Sequence, residues 1–173
     1  CAEALTALEH PGVASIQIIC NVLRRKPLEE VLPKAKAQGV AIIARVPLAS
    51  GILTGRFTAT TTFAPQDHRT FNRHGEAFDI GETFSGVPYE SGVAAGQEMV
   101  RIAADLGITP AQLALRWLID QDGVTVTIPG ASRPEQARAN AATAALAPLS
   151  EPVQAELAGL YDRYAAPWVA DRW

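Results

Sequence analysis

Cysteine is nearly absent from this sequence. Cys1 and Cys20 are the only two in 173 residues, one at a terminus and one inside an apolar run, with no CxxC or Cys/His ligand spacing around either. That implies neither a disulfide framework nor a zinc site. No apolar stretch approaches the ~18 to 20 residues needed to span a bilayer, and no basic segment followed by an apolar core opens the chain. Basic charge is not in excess either. Lys and Arg number 15 against 18 Asp and Glu, a net charge of −3, so there is no general positive field for nucleic acid or an anionic membrane. The expectation is a soluble, cytoplasmic protein with neither of those partners. Met is missing from position 1, where Cys1 leads directly into the helix-like AEALTALEH; this points to a chain beginning mid-protein.

What is present is apolar residue in quantity. At 48% hydrophobic and 19% charged, the chain can bury a sizeable core as one domain over residues 1–173. Residues 2–9 read as a helix stopped by Pro11-Gly12. VASIQIICN is a strand, apolar on both faces except at Gln17. LEEVLPKAKAQ has helical spacing over 28–38, with Gly39 placed to close it and Pro33 placed to weaken or displace its start. VAIIAR is a second buried strand. An irregular stretch over about 47–89, rich in Gly, Thr, Pro and Phe, is long enough to imply a functional or disordered loop. Helices resume at ESGVAAGQEMVRIAADLG and at TPAQLALRWLIDQ, where Thr109 is a good N-cap and Pro110 suits the first helical position. The strand VTVTIP follows, then helices over 133–143 and 151–164.

Strand and helix alternate, so the fold class is α/β with three parallel strands and flanking helices. Three strands cannot close a barrel and make a thin sheet. Its open apolar edges imply self-association or strands supplied from elsewhere.

The segment VTVTIPGASRPEQARAN places a strand, a tight glycine turn and a fresh helix start in immediate succession. A helix start presents unpaired N–H groups and the positive end of the helix dipole, which suits an anion. Gly130 lets backbone approach a phosphate, and Ser132 can donate a hydroxyl hydrogen bond. Gln136 and Asn140, four apart, share a helix face. On chemistry alone each has a plainer role. Ser132 suits an N-cap, Gln136 and Asn140 a solvated face, Gly51 and Gly55 turns, Gln17 an internal hydrogen bond, and Arg45 a carboxylate partner. His68 and His74, with Asp67, Glu76 and Asp79, fit no common metal spacing, so no metal is expected.

Taken together, SIQIICNVLRR, RVPLASGILTGRF and IPGASRPEQARAN resemble, in order and spacing, the last three strand-end segments of the aldo-keto reductase superfamily. The resemblance covers essentially the whole chain. It implies the C-terminal part of a (β/α)8 barrel, an incomplete one carrying the sixth, seventh and eighth strands, since a full barrel takes ~250 residues. It implies an NADP(H)-dependent reductase of aldehydes and ketones, with a small carbonyl substrate in the complete protein. The family's catalytic Asp, Tyr, Lys and His lie on earlier strands, so no catalytic residue is carried over.

What carries over is the cofactor side. Gln17 matches the glutamine that hydrogen-bonds the nicotinamide carboxamide. Arg45 matches a position often held by an aromatic that stacks on that ring. Pro47, Leu48, Gly51 and Gly55 make the loop beside the pyrophosphate, and Arg56 stands where the family often has a Lys. Gly130, Ser132, Gln136 and Asn140 match the adenosine-phosphate end. Ala139 departs from the family, where many members carry a Glu beside the adenine. Arg69 or Arg73 is the candidate to close over the phosphates. Trp168 and Trp173 are placed to cover the mouth or to pack the tail. The alternative reading is a non-catalytic NADP(H)-binding or interaction subunit of the same fold.

Overall fold

The computed structural model describes residues 1–172. In chain order the elements are α1 (Ala2–Ala7), β1 (Ser15–Ile19), α2 (Val31–Ala37), β2 (Ala41–Arg45), α3 (His68–Phe71), α4 (Tyr89–Asp105), α5 (Pro110–Ile119), β3 (Val126–Thr127), α6 (Pro134–Ala142), α7 (Glu151–Tyr164) and α8 (Ala166–Val169). The three strands form one parallel sheet in the order β1-β2-β3. Parallel neighbours require crossovers, and the helices between successive strands supply them.

Local sequence explains the boundaries. Pro33 falls in the first turn of α2, where an N–H would have no helical partner. The helix therefore starts at Val31, behind a 3-10 turn at Lys26–Leu28, rather than at Leu28. It closes through Gly39, at φ +69°, whose N–H reaches Lys36 O (3.1 Å) while Val40 N–H reaches Ala35 O (2.9 Å). Pro110 opens α5 behind a reciprocal cap. Thr109 Oγ1 accepts from Gln112 N–H (3.2 Å) and Gln112 Oε1 accepts from Thr109 N–H (3.0 Å).

The strands are shorter than their apolar runs. The run over 13–21 is strand across Ser15–Ile19, with one bond beyond each end, from Ala41 N–H to Ala14 O (3.0 Å) and from Cys20 N–H to Arg45 O (3.4 Å), and the strand expected over 124–129 is reduced to Val126–Thr127. Single bonds extend it, from Thr125 N–H to Ile42 O (3.0 Å) and from Ile128 N–H to Ala44 O (3.1 Å). Pro129 then has no N–H to give, and pairing stops.

Register assigns the faces. Ile16 and Ile18 of β1 stand beside Ile42 and Ala44 of β2. This face packs on helices, with Ile42 buried among Val31, Leu32, Ala35 and Leu8, and Ala44 in the larger core around Trp117, Met99 and Leu113. The opposite face carries Gln17, Ile43 and Val126 in one row, with Gln17 exposed and Val126 47% exposed. Both cysteines are free, and burial pushes the Cys20 thiol up to about 12.

The long connection after β2 is ordered. Phe57, Phe63, Phe84 and Tyr89 pack edge to face or tilted, with centroids 5.0 to 6.2 Å apart. A 3-10 turn at Ala49–Thr54 lies against α4, and a carbon added at Gly96 would stand 2.5 Å from Ile52 O. Gly96→Ala is therefore expected to destabilise by roughly 1–3 kcal/mol, even after alanine's better helix propensity of ~1 kcal/mol, read as a lower urea midpoint. Gly130→Ala meets nothing within 4 Å and should leave the midpoint where it is. An unmoved midpoint for Gly96→Ala would show that α4 and the turn are not in backbone contact.

Candidate functional site

Beyond β2 the backbone takes conformations that ordinary side chains avoid. Val46, Ala49 and Ser50 have φ of 54°, 47° and 56°, and across from them Phe84 and Ser85 have φ of 50° and 60°. For non-glycine residues such values carry strain that surrounding bonds must hold. Asn21, fully buried, supplies some of those bonds. Its amide donates to Val46 O (2.9 Å) and Ser85 Oγ (2.7 Å), while its Oδ1 accepts from Leu23 N–H (2.9 Å). Ser50 adds two more, its hydroxyl donating to Glu82 O (3.1 Å) and accepting from Phe84 N–H (3.1 Å).

These segments border a cleft of about 850 Å³. One wall comes from the end of β2 and the loop after it, with Pro47, Leu48, Gly51 and Arg56; the other comes from the turn into α6, with Gly130, Ser132 and Gln136. These seven expected positions therefore share one cavity.

The other four are placed differently. Gln17 and Arg45 line a separate groove of about 570 Å³ beside β1, with Arg24 and Asp79. Arg45 forks onto Glu82, one Nη–Oε distance being 2.8 Å, and Glu82 in turn lines the cleft. Gly55, at φ +68°, does not line the cleft. It packs on α4, where an added carbon would collide with Val100. Asn140 lies in a smaller pocket between α5 and α6, its Nδ2 3.5 Å from Gly130 O.

The α6 end is also wired differently from expectation. The N-cap is Arg133, not Ser132. Gln136 turns back, and its Oε1 accepts from Ser132 N–H (2.8 Å) and Ser132 Oγ (3.0 Å). The Ser132 hydroxyl proton is thus already engaged.

The charges near the cleft are unequal. Arg69 lines it but is spent on Asp67, through Nε (2.9 Å) and Nη2 (2.6 Å), and lies 4.3 Å over the Phe63 ring. Those guanidinium bonds hold the Asp67 carboxyl down to about 2. Arg73 stacks on Tyr89 (4.6 Å) and donates to Arg69 O (3.0 Å), away from the cleft lining. Arg56 is exposed, with no ion pair among the described residues. No Tyr or Lys lines the cleft; Tyr89 donates to Thr58 O (2.8 Å). Glu76 and Asp79 are taken up by the backbone N–H groups of His74 (2.8 Å) and Gly81 (2.7 Å). Trp168 is 46% exposed on α8 and is not part of the cleft lining, and Trp173 lies outside the described residues.

Sequence reasoning did not name Glu82, Ser50 or Asn21. The one available signal was the need of Arg45 for a carboxylate, without an indication of which.

The model of the Aldo/keto reductase family matches residues 2–162. The chain belongs to this family. It is 33% identical over 142 residues to an uncharacterised oxidoreductase of Mycobacterium tuberculosis, covering 82% of this chain and 40% of that protein. It is 29% identical over 139 residues to a probable voltage-gated potassium channel subunit beta of Arabidopsis thaliana, covering 77% of this chain and 39% of that one. Among solved structures, a glycerol dehydrogenase from Gluconobacter oxydans superposes with a TM-score of 0.70 at 23% identity, over 92% of this chain and 44% of that chain. The chain thus spans about two-fifths of the curated relatives it matches, and its fold is part of a (β/α)8 barrel.

The Asp67–Arg69 pair can be tested directly. A carboxyl whose folded pKa lies below its unfolded value near ~3.9 stabilises above that value, and the contribution is lost as pH falls toward the folded midpoint. Carboxyl NMR should therefore find Asp67 titrating at about 2. In Arg69→Gln the midpoint should return toward the ordinary aspartate range; a midpoint unmoved by that change would remove Arg69 as the cause.

Proposed function

We propose that the cleft is the adenosine and pyrophosphate half of an NADP(H) site, in an oxidoreductase that moves a hydride between the nicotinamide and the carbonyl carbon of an aldehyde or ketone. The observation that carries this reading is the convergence of Pro47, Leu48, Gly51, Arg56, Gly130, Ser132 and Gln136 on one cavity from two successive strand ends. Barrel ligands gather at the C-terminal ends of strands, and phosphates at the last loops.

The residues fit the group. At Gly130 nothing lies within 4 Å of where a Cβ would stand, so backbone there is open to a phosphate. Arg56 offers an uncommitted guanidinium, and the α6 start offers the positive end of its dipole. The cofactor, when bound, supplies the hydride chemistry. This chain's residues bind and orient it, and the described residues that line the cleft include neither Tyr nor Lys.

The relative from Arabidopsis favours a second reading, a cofactor-binding subunit without turnover. Both readings share the cleft. They separate on whether NADPH is consumed when aldehydes are added.

The binding claim is tested by titrating the protein with NADPH and following cofactor fluorescence. Arg56→Ala should weaken binding about tenfold, the ~1.4 kcal/mol expected of one partly exposed charge-assisted contact. Gly130→Ala, whose added carbon meets nothing within 4 Å, should weaken it as well while leaving the urea midpoint unchanged. Folded protein that shows no saturable binding would sink the cofactor assignment.

A further inference from the structure

The Arg45–Glu82 pair joins the cleft to the groove beside β1. Arg45 ends β2 on the sheet face that carries Gln17, and both line the groove beside β1. Glu82 lines the cleft. Their fork therefore stands between the two cavities, with side chains 32% and 28% exposed. Glu82 is held from behind as well, since its carbonyl takes the Ser50 hydroxyl and it precedes Thr83, whose Oγ1 accepts from buried Asn72 Nδ2 (3.1 Å). On the groove side Arg24 adds one further positive charge, and Glu3 and Asp79 add two negative ones.

We propose that Glu82 is a positioning residue that cancels the charge of Arg45 and thereby sets the balance between oxidised and reduced cofactor. The inference rests on the dinucleotide reading above. This reading places the nicotinamide half on the groove side of the pair, where Arg45 and Gln17 lie together. The oxidised ring carries a positive charge and the reduced ring carries none. An uncompensated guanidinium beside that ring repels only the oxidised form, and the carboxylate removes this discrimination. Because the pair is fixed by the strand on one side and by a bonded loop on the other, the cancellation does not depend on mobile counterions.

The two single variants should move in opposite directions. In Glu82→Gln, which keeps the shape and drops the charge, the ratio of dissociation constants for NADP+ over NADPH should rise about five- to tenfold, the scale of one charge at several ångströms in a partly wet site. In Arg45→Gln, which leaves the carboxylate, the ratio should fall below that of the unmodified protein. The double variant should return close to it, and Glu82→Asp, which keeps the charge, should hold it. All are measured by titration of the protein as its gene encodes it, with any preceding sequence included. Loss of a merely structural contact would weaken both forms together, so equal changes for the two forms overturn the proposal while the dinucleotide reading stands. If Glu82→Gln fails to fold, a ratio that does not fall in Arg45→Gln overturns it alone. Absence of binding by unmodified, folded protein would refute the dinucleotide reading and this inference with it.

Discussion

One buried carboxamide ties the site together. Asn21 follows β1, bonds to the carbonyl at the end of β2 and to a serine in the long connection, and closes its own turn through Leu23. Val46 and Ser85, at opposite ends of the connection after β2, both hold left-handed backbone. Leaving such a group unpaired in the interior costs about 1–3 kcal/mol per donor or acceptor. The native arrangement satisfies both ends of the amide and so fixes the relative positions of the strand ends. The cleft inherits its shape from that junction.

The long connection would be expected to move, since it has little regular structure over some forty residues. It is held instead by its aromatic residues, by two guanidinium groups laid on their faces and by Asn72, whose Oδ1 takes the N–H groups of Ala77 and Phe78 at 2.8 Å each. Stacked Arg69 and Arg73 act here as packing as much as charge.

The architecture was legible in the sequence because its signals are local. Apolar β-branched runs marked the strands, and Thr109, Pro110 and Gly39 marked helix ends by requirements of cap and φ alone. The family resemblance was legible because three strand ends recur together in order. Less legible were features decided across long separations. Strand lengths depend on where a neighbour can accept a bond, which truncated β3 to two residues. The partner of Arg45 lies 37 residues away, and nothing in RVPLASG names Glu82. Gln136 was read as facing a ligand because helical spacing gives a face, whereas its amide folds back over the preceding turn. Gly55 was read for its backbone in the loop after β2, and its close packing on α4 was not foreseen.

The inward turn of Gln136 has a thermodynamic consequence. An anion arriving at Ser132 finds a hydroxyl whose proton is already bonded, at 3.0 Å, to a neutral acceptor. Binding there swaps one hydrogen bond for a stronger one, while the glutamine carbonyl keeps the Ser132 N–H at 2.8 Å. The net gain is the difference between two bonds, so this serine contributes modest affinity. Its larger contribution is selectivity, since a neutral group offers no improvement over the acceptor it would displace.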